Sequence, residues 1–351
     1  MAAEDEADFA AFAYHGGALD VARRLFPDAP APWIDLSTGV NPDFYPIPTL
    51  DPRWFTRLPQ QCALDRLQTA AARRYGAAPP SVVIASGTQA LIAALALLKP
   101  KAEVGVLAPT YVGHEDGWLA AGARVWRVAT VNELSEFDIG VVVNPNNPDG
   151  RVVRAVELIA LTKAMRPGAL LVVDEAFADF DDAETLAPLK EAERIVVLRS
   201  FGKSYGLAGL RLGFALAQPD FAKRLRAILG PWPVSGAAMA IAESAFADDR
   251  WFAAARASAK ARAARLDMLL WRAGWRIVGG TSLFRLADKA DGAEAFRALL
   301  RAGILTRPFA DQPARIRFGL PANECEWGRL AAALGSQDPA FVALGAEGER
   351  S

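Results

Sequence analysis

The sequence predicts an α/β protein with a large domain on a mostly parallel sheet and a smaller α+β domain. Three observations predict it. Unbroken aliphatic runs recur from about residue 80, at Val82-Val83-Ile84, Val104-Gly105-Val106-Leu107, Ile139–Val143, Leu170–Val173 and Ile195–Leu198, as in strands buried on both faces. Longer segments of helical spacing lie between them, as right-handed crossovers require. After Pro231-Trp232-Pro233 the composition shifts to an Ala/Arg-rich stretch, about Gly236 to Trp271, without interior proline; it reads as one or two long helices.

Taken in chain order, Pro27, Pro30, Pro32, Pro42, Pro46 and Pro48 send the N-terminal segment irregularly over a surface or cleft. The strand at Val82 leads into a helix beginning near Thr88. Beyond the long helical stretch, Trp275–Val278, Ser282–Leu286, Ile304-Leu305 and Arg315–Phe318 read as strands, with helices from about Gly292 and Glu324. The expected boundaries are 1–50, packing with the small domain and the cleft, 51–235 for the large domain and 236–351 for the small one.

The 351 residues carry 39 Lys+Arg against 40 Asp+Glu, a net charge of −1. That balance excludes the cationic footprint of a nucleic-acid binder. A hydrophobic fraction of 52% with 23% charged residues excludes general disorder. Cys62 and Cys325 are too few for a disulfide framework or thiolate metal site, and His15 and His114 leave little for a histidine site, so no metal is expected. The acidic start, MAAEDEADFAAF, lacks the basic character of a leader, and the longest apolar stretch, Ala90–Leu98, is far below the roughly 20 residues of a membrane span. A cytoplasmic protein without membrane partners is expected.

Four segments carry chemistry. Ser200-Phe201-Gly202-Lys203-Ser204-Tyr205-Gly206-Leu207-Ala208-Gly209-Leu210-Arg211-Leu212-Gly213 follows a buried strand, so Lys203 stands at its carboxyl end, where open α/β sheets place ligands. A lysine there can condense with a carbonyl if its pKa is lowered; the alternative is a solvated lysine in a glycine-rich loop. Asp174-Glu175-Ala176-Phe177 ends an apolar strand, where a carboxylate needs a cationic partner. A protonated pyridine nitrogen would serve, as would a structural ion pair or a capping role. Asn144-Pro145-Asn146-Asn147-Pro148-Asp149-Gly150 is a turn that can also hold an amide toward a phenolate oxygen. Ser86-Gly87-Thr88-Gln89 opens a helix, either as an anion site or as an ordinary cap.

With these segments in this order, the chain resembles the fold-type I pyridoxal-phosphate enzymes, the aspartate aminotransferase superfamily, from about His15 to Leu334. The resemblance implies pyridoxal 5'-phosphate as cofactor, with Lys203 holding its aldehyde, Asp174 pairing with the ring nitrogen and Asn147 meeting the ring oxygen. It places the phosphate among Gly87, Thr88, Gln89, Ser200 and Arg211, and stacks Tyr111, of Pro109-Thr110-Tyr111, on the ring; by itself Tyr111 would read as core. Lys203, Asp174 and Tyr111 are the implied catalytic residues. A ring protonated by pairing with Asp174 is an electron sink for charge at the substrate Cα. The protein chooses the bond to break by holding it perpendicular to the ring.

Within the superfamily, His15-Gly16-Gly17-Ala18 and Asp35-Leu36-Ser37-Thr38-Gly39-Val40-Asn41-Pro42 resemble the L-threonine-O-3-phosphate decarboxylases of cobalamin biosynthesis. That implies decarboxylation of threonine phosphate to (R)-1-aminopropan-2-yl phosphate, and a homodimer with active sites at the subunit interface. The second reading is an aminotransferase of the histidinol-phosphate type, although those relatives usually carry Tyr, bonded to the ring oxygen, where Phe177 stands. The third is a non-catalytic sensing or scaffold domain; against it, no DNA-binding module or basic arm is present and Lys203 is retained. A phosphorylated amino acid needs two anion sites beyond the cofactor's own. Arg307 is one candidate. Arg315 and Arg317 face one side of a strand and have the bidentate geometry for carboxylate or phosphate. Alignment on Gly319 favours Arg315, and alignment on Arg-Phe-Gly-Leu-Pro favours Arg317, the preferred assignment. The resemblance also implies His15, Gly16 and Gly17 at the substrate phosphate, and Asn41 and Asn147 among the substrate contacts. Two departures stand out: Gly39 where enteric members have Asn, and Leu58 where many members have a Tyr that reaches the neighbouring subunit's cofactor phosphate.

Overall fold

Successive residues of each apolar run enter opposite cores. Val83, Val104, Val106, Ile139, Val141, Val172 and Val196 pack on one face of a single sheet, and Val82, Ile84, Val142, Leu171, Val173 and Val197 on the other. The computed structural model describes residues 11, 12, 14–182, 184–187 and 194–336; the acidic residues 1–10 lie outside them. Two compact units are present, one of Phe44–Ala254 and the other of residues up to Asp43 with those from Ala255 onward.

The larger unit holds β1 (Val82–Ala85), β2 (Glu103–Leu107), β3 (Arg124–Val128), β4 (Ile139–Val143), β5 (Leu170–Asp174), β6 (Ile195–Ser200) and β7 (Gly213–Leu216). They lie in the order β1-β7-β6-β5-β4-β2-β3. Neighbours are parallel except β7, which runs against both β1 and β6. The register sets Val143 beside Asp174, Asp174 beside Leu198, Ser200 beside Gly213, and Gly213 beside Ala85. The strand ends bearing the chemical motifs therefore lie side by side. Sequence patterning missed β3, an edge strand with mostly exposed residues, and β7, four residues behind a glycine-rich loop.

Helices α1 (Gln61–Tyr75), α2 (Thr88–Leu98), α3 (Gly113–Ala120), α4 (Ala155–Ala164), α5 (Phe201–Ser204), α6 (Pro219–Leu229), α7 (Gly236–Ala247) and α8 (Asp249–Arg272) follow. Leu67 and Tyr75 of α1 join Met239 and Phe246 of α7 in one core, while Leu91 and Leu95 of α2 join Leu225 of α6 in the other. The Ala/Arg-rich stretch is two helices. They break at Asp248, whose Oδ1 accepts from Trp251 N at 2.9 Å and so caps the second.

The units divide at 43/44 and 254/255, not at the expected 50/51 and 235/236. The reason is α7. Its first residue, Gly236, lies so close to the Trp54 backbone that a Cβ would come within 2.6 Å of the carbonyl oxygen, and its apolar face fills the large-unit core. The change of unit falls inside α8.

The smaller unit contains β8 (Arg276–Thr281), β9 (Phe284–Asp288), β10 (Ile304–Leu305), β11 (Arg307–Pro308) and β12 (Arg315–Gly319), with α9 (Gly292–Arg301) and α10 (Glu324–Ala333). An antiparallel sheet runs β11-β12-β9-β8, and Ile34–Asp35 pairs in parallel with β10, tying the N-terminal segment to this unit. Phe296, Leu299 and Leu300 of α9 and Trp327 and Leu330 of α10 are buried. Among the described residues no helix is long and apolar enough to cross a membrane.

Phe214 of β7 is buried with its ring 5.6 Å from that of Tyr75 and 5.4 Å from that of Phe246. Phe214→Ala is expected to destabilise the large unit by about 3–5 kcal/mol, read as a lower urea midpoint with little change in slope.

Candidate active site at the strand ends

A single cleft of the larger unit is lined by Gly87, Thr88, Gln89, Tyr111, Asn147, Asp174, Phe177, Ser200, Lys203 and Arg211. The structure thus brings together all the residues that the sequence assigned to the cofactor.

At one end of the cleft, backbone and side chain meet at the start of α2. Gly87 has φ +86°, and a Cβ there would lie 2.7 Å from Arg211 Nη2. A Cβ on Gly213 would lie 2.7 Å from both the Gly87 carbonyl carbon and the Thr88 nitrogen. Glycine at these two positions lets the guanidinium and β7 close on the helix N-terminus, where unsatisfied N–H groups favour an anion. Arg211 has φ 54°, a left-handed backbone that costs a non-glycine residue about 1–2 kcal/mol; strain of this kind collects at binding sites. Arg211 Nη1 donates to Ala208 O at 3.2 Å.

Gln89 supports the wall of the cleft as well as lining it. Its Nε2 donates to Gly113 O at 3.2 Å, and Tyr111 Oη donates to its Oε1 at 3.1 Å. Gly113 gives the Tyr111 ring its place, because a Cβ there would come within 2.5 Å of the ring.

The asparagines divide their labour. Asn144 exchanges hydrogen bonds with Val153, each at 2.9 Å, and Asn146 accepts from Thr110 Oγ1 at 2.5 Å while donating to Pro109 O and Asp149 Oδ1. These two build the turn, and Asn147 lines the cleft.

Asp174 is 3% exposed. Its Oδ1 accepts from Ala176 N at 3.0 Å, and its Oδ2 lies 3.0 Å from His114 Nε2, which donates to it. His114 is fully buried, and its Nδ1 is without a hydrogen-bond partner among the described residues. Sequence reasoning missed His114 at the site, because a single histidine at the start of a short helix carries no signal of a partner 60 residues away. Its position three residues after Tyr111 was the one available hint. Opposite, Lys203 Nζ lies 5.3 Å from the centre of the Phe177 ring. The cleft fits pyridoxal 5'-phosphate: an amine for the aldehyde, a buried carboxylate for the ring nitrogen, an amide for the ring oxygen, and a glycine-lined anion cradle.

The smaller unit holds a second group of cations. Arg317 is buried, and its Nη2 donates to Ser37 O at 2.5 Å. Burial, and then the nearby charge of Arg307, push its pKa well below the usual guanidinium value. Arg307 Nη2 donates to Tyr14 O at 2.9 Å. Two neighbouring buried guanidiniums, with the Asp35 charge also acting on Arg317, concentrate groups of the kind that bind carboxylate or phosphate. Arg315 stands apart, with its side chain 34% exposed and its Nε 3.9 Å from Asp288 Oδ2, its partner across the strands. Gly17 N donates to Ser37 Oγ at 2.7 Å, and Gly16 packs so tightly that a Cβ would lie 2.3 Å from Ser37 O. The His15-Gly16-Gly17 segment thus rests on the residue that binds Arg317, with His15 itself exposed. Asn41 is buried in a local turn, bonded to Asp43 O and Asp43 N at 2.7 and 3.1 Å.

The description "Aminotransferase class I and II" matches residues 31–337. The chain belongs to this family. A threonine-phosphate decarboxylase of Pseudomonas aeruginosa is 42% identical over 331 residues, covering 93% of this chain and 98% of that protein. Another, from a Sinorhizobium species, is 38% identical over 324 residues, covering 91% and 97%. Among solved structures, the histidinol-phosphate aminotransferase of Sinorhizobium meliloti in complex with pyridoxal-5'-phosphate matches with a TM-score of 0.75 at 22% identity, over 90% of this chain and 93% of that one. That likeness shows the shared aminotransferase fold.

In this member of the aminotransferase class I and II family, Gly87→Ala would force a side chain into a left-handed backbone and against Arg211. A penalty of about 1–3 kcal/mol corresponds to a roughly 5- to 150-fold weaker Kd for pyridoxal phosphate. Spectrophotometric titration of apo-protein is the measurement.

Proposed function

We propose that the protein is a cytoplasmic, homodimeric, pyridoxal-phosphate-dependent lyase that converts L-threonine O-3-phosphate to (R)-1-aminopropan-2-yl phosphate and CO2, the former supplying the linker of the corrin nucleotide loop in cobalamin synthesis. The observation that carries this reading is a complete cofactor cleft together with a second, buried cationic group, in a chain whose near-full-length relatives are named threonine-phosphate decarboxylases.

The bound cofactor supplies an electron sink for the charge left on the substrate Cα. Thr88 and Arg211 would hold its phosphate, Asn147 would donate to its ring oxygen, and Asp174, backed by His114, would meet its ring nitrogen. Tyr111, steadied by Gln89, covers one face. Arg307 and Arg317 bind the substrate's anionic groups, with His15, Gly16 and Gly17 contributing at the phosphate. The bond that breaks is the one held perpendicular to the ring, and an orientation effect of this kind carries large rate factors. The Cα–carboxylate bond breaks with its electron pair left toward Cα, and a proton replaces the departing CO2. Lys203 Nζ, as a cleft-lining amine, can hold that proton. Phe177 presents an apolar ring where a hydroxyl would otherwise donate to the ring oxygen.

The homodimer is supported by a surface of the larger unit. Phe55, Leu58 and Trp232 are 69%, 62% and 54% exposed, and Trp232 lines a mainly apolar cleft with Pro59, Leu64, Leu229, Pro231 and Pro233. Apolar surface of this kind belongs at an interface, and Ser86 Oγ, donating to Pro233 O at 2.9 Å, links it to the cofactor's anion cradle. Exposed free thiols at Cys62 and Cys325 suit a reducing compartment.

Two outcomes are expected. Threonine phosphate releases CO2 without any 2-oxo acid, and Lys203→Ala abolishes both this release and the visible absorbance of the holoenzyme; strict dependence on 2-oxoglutarate would instead assign transamination. In sedimentation velocity the protein runs as a dimer and Trp232→Glu shifts it toward monomer, whereas a monomeric parent protein would remove the dimer from this reading.

A further inference from the structure

Beneath the cleft lies a buried polar cluster that the reaction as described does not use. Arg199 Nη1 donates to Glu175 Oε2 at 2.6 Å, and its Nη2 bonds Asp179 Oδ1. Ser204 Oγ donates to Asp179 Oδ2 at 2.6 Å. Glu175 is further fixed by Leu186 N at 2.8 Å and Thr185 Oγ1 at 2.5 Å. Burial pulls the Arg199 pKa down, but the charges of Asp179 and Glu175 outweigh it and raise it above the usual value. The cluster therefore stays ionised, and removing one partner would leave an uncompensated charge.

The position of the cluster suggests its use. Glu175 follows Asp174 directly, and Ser204 follows Lys203 directly. Lys203 sits on α5, a turn of four residues that is too short to be stable by its own hydrogen bonds. The direction of Nζ depends on how this turn is rotated about its axis. Phe201 and Tyr205 stack at 4.3 Å and bury one side of the turn, yet ring packing is weakly directional. Successive helical side chains are about 100° apart, so a short hydrogen bond at Ser204 fixes the angle at which Lys203 leaves the turn.

We propose that the Asp179–Ser204 hydrogen bond, anchored by Arg199 and Glu175, is a positioning device that aims Lys203 Nζ at the cofactor aldehyde. The proposal rests on the reading of Lys203 as the cofactor-holding amine. In the step concerned, Nζ forms a bond to the aldehyde carbon, loses its protons, and the carbonyl oxygen leaves as water. Asp179, Ser204, Arg199 and Glu175 are positioning residues, not catalytic ones, and the same cluster fixes the backbone next to both the amine and the Asp174 carboxylate.

The test separates binding of pyridoxal phosphate from condensation. Apo-protein is mixed with pyridoxal phosphate; total binding is read by equilibrium dialysis, and condensation by growth of the borohydride-sensitive visible band. Ser204→Ala and Asp179→Asn should slow condensation about 10- to 100-fold, the scale of a misplacement of about 1 Å, while changing total binding far less. Ser204→Thr, which keeps the hydroxyl, should restore the rate. Condensation at the parent rate in Ser204→Ala, with only a lower Tm, would overturn the proposal. Failure of the parent protein to develop the band would overturn the Lys203 reading itself, and this proposal with it.

Discussion

The larger unit is organised around a carboxylate that its own strand cannot satisfy. Asp174 ends a run of wholly buried aliphatic residues, flanked by β4 and β6. An isolated charge there would cost several kcal/mol. One backbone N–H and one imidazole answer part of its demand, and the cleft-facing remainder suits a cationic ring. The lysine, the amide and the anion cradle are useful because the sheet register puts their strand ends next to this charge. Side chains far apart in sequence become neighbours through paired strands, without long or mobile connections.

The two units gather groups suited to anions by different means. In the larger unit the cradle uses backbone N–H groups and one guanidinium brought close by glycines, at the cost of a left-handed Arg211. In the smaller unit the means is side-chain charge: Arg307 and Arg317 are buried near each other, bonded to main-chain carbonyls, with the Asp35 charge acting on Arg317. The first arrangement suits one phosphate of fixed shape. The second is more adaptable, because guanidiniums accept carboxylate and phosphate alike.

Much of this was legible in the sequence, for identifiable reasons. Five strands announced themselves because both of their faces are buried, which leaves an uninterrupted aliphatic run. β3 did not, since Arg124, Trp126 and Arg127 face outward at the edge, and β7 was masked by the glycines before it. The long Ala/Arg-rich stretch was visible as helix, but its break at Asp248 depends on one capping hydrogen bond within favourable composition. The assignment of α7 to the larger unit follows from packing against Trp54 and α1, which no local pattern encodes. At the site, Lys203, Asp174 and Asn147 could be read because each stands at or just past the end of a recognisable strand. His114 and Asp179 could not, because their roles arise only from contacts across the fold. The difference in burial between Arg315 and Arg317 was hidden for a related reason: both lie on one face of a strand, and only packing across the fold buries one and leaves the other partly exposed.

The reversed direction of β7 has a consequence for how such a protein can diverge. Because the chain turns back between β6 and β7 at the cleft, a single uninterrupted excursion delivers the hydroxyl of Ser200, the amine of Lys203 and the guanidinium of Arg211. Lengthening or shortening that excursion would displace all three at once. The guanidiniums carried by β11 and β12 belong to a separate compact unit and can be exchanged singly. New specificities therefore have an open route through the smaller unit, while the excursion behaves as an inherited cassette.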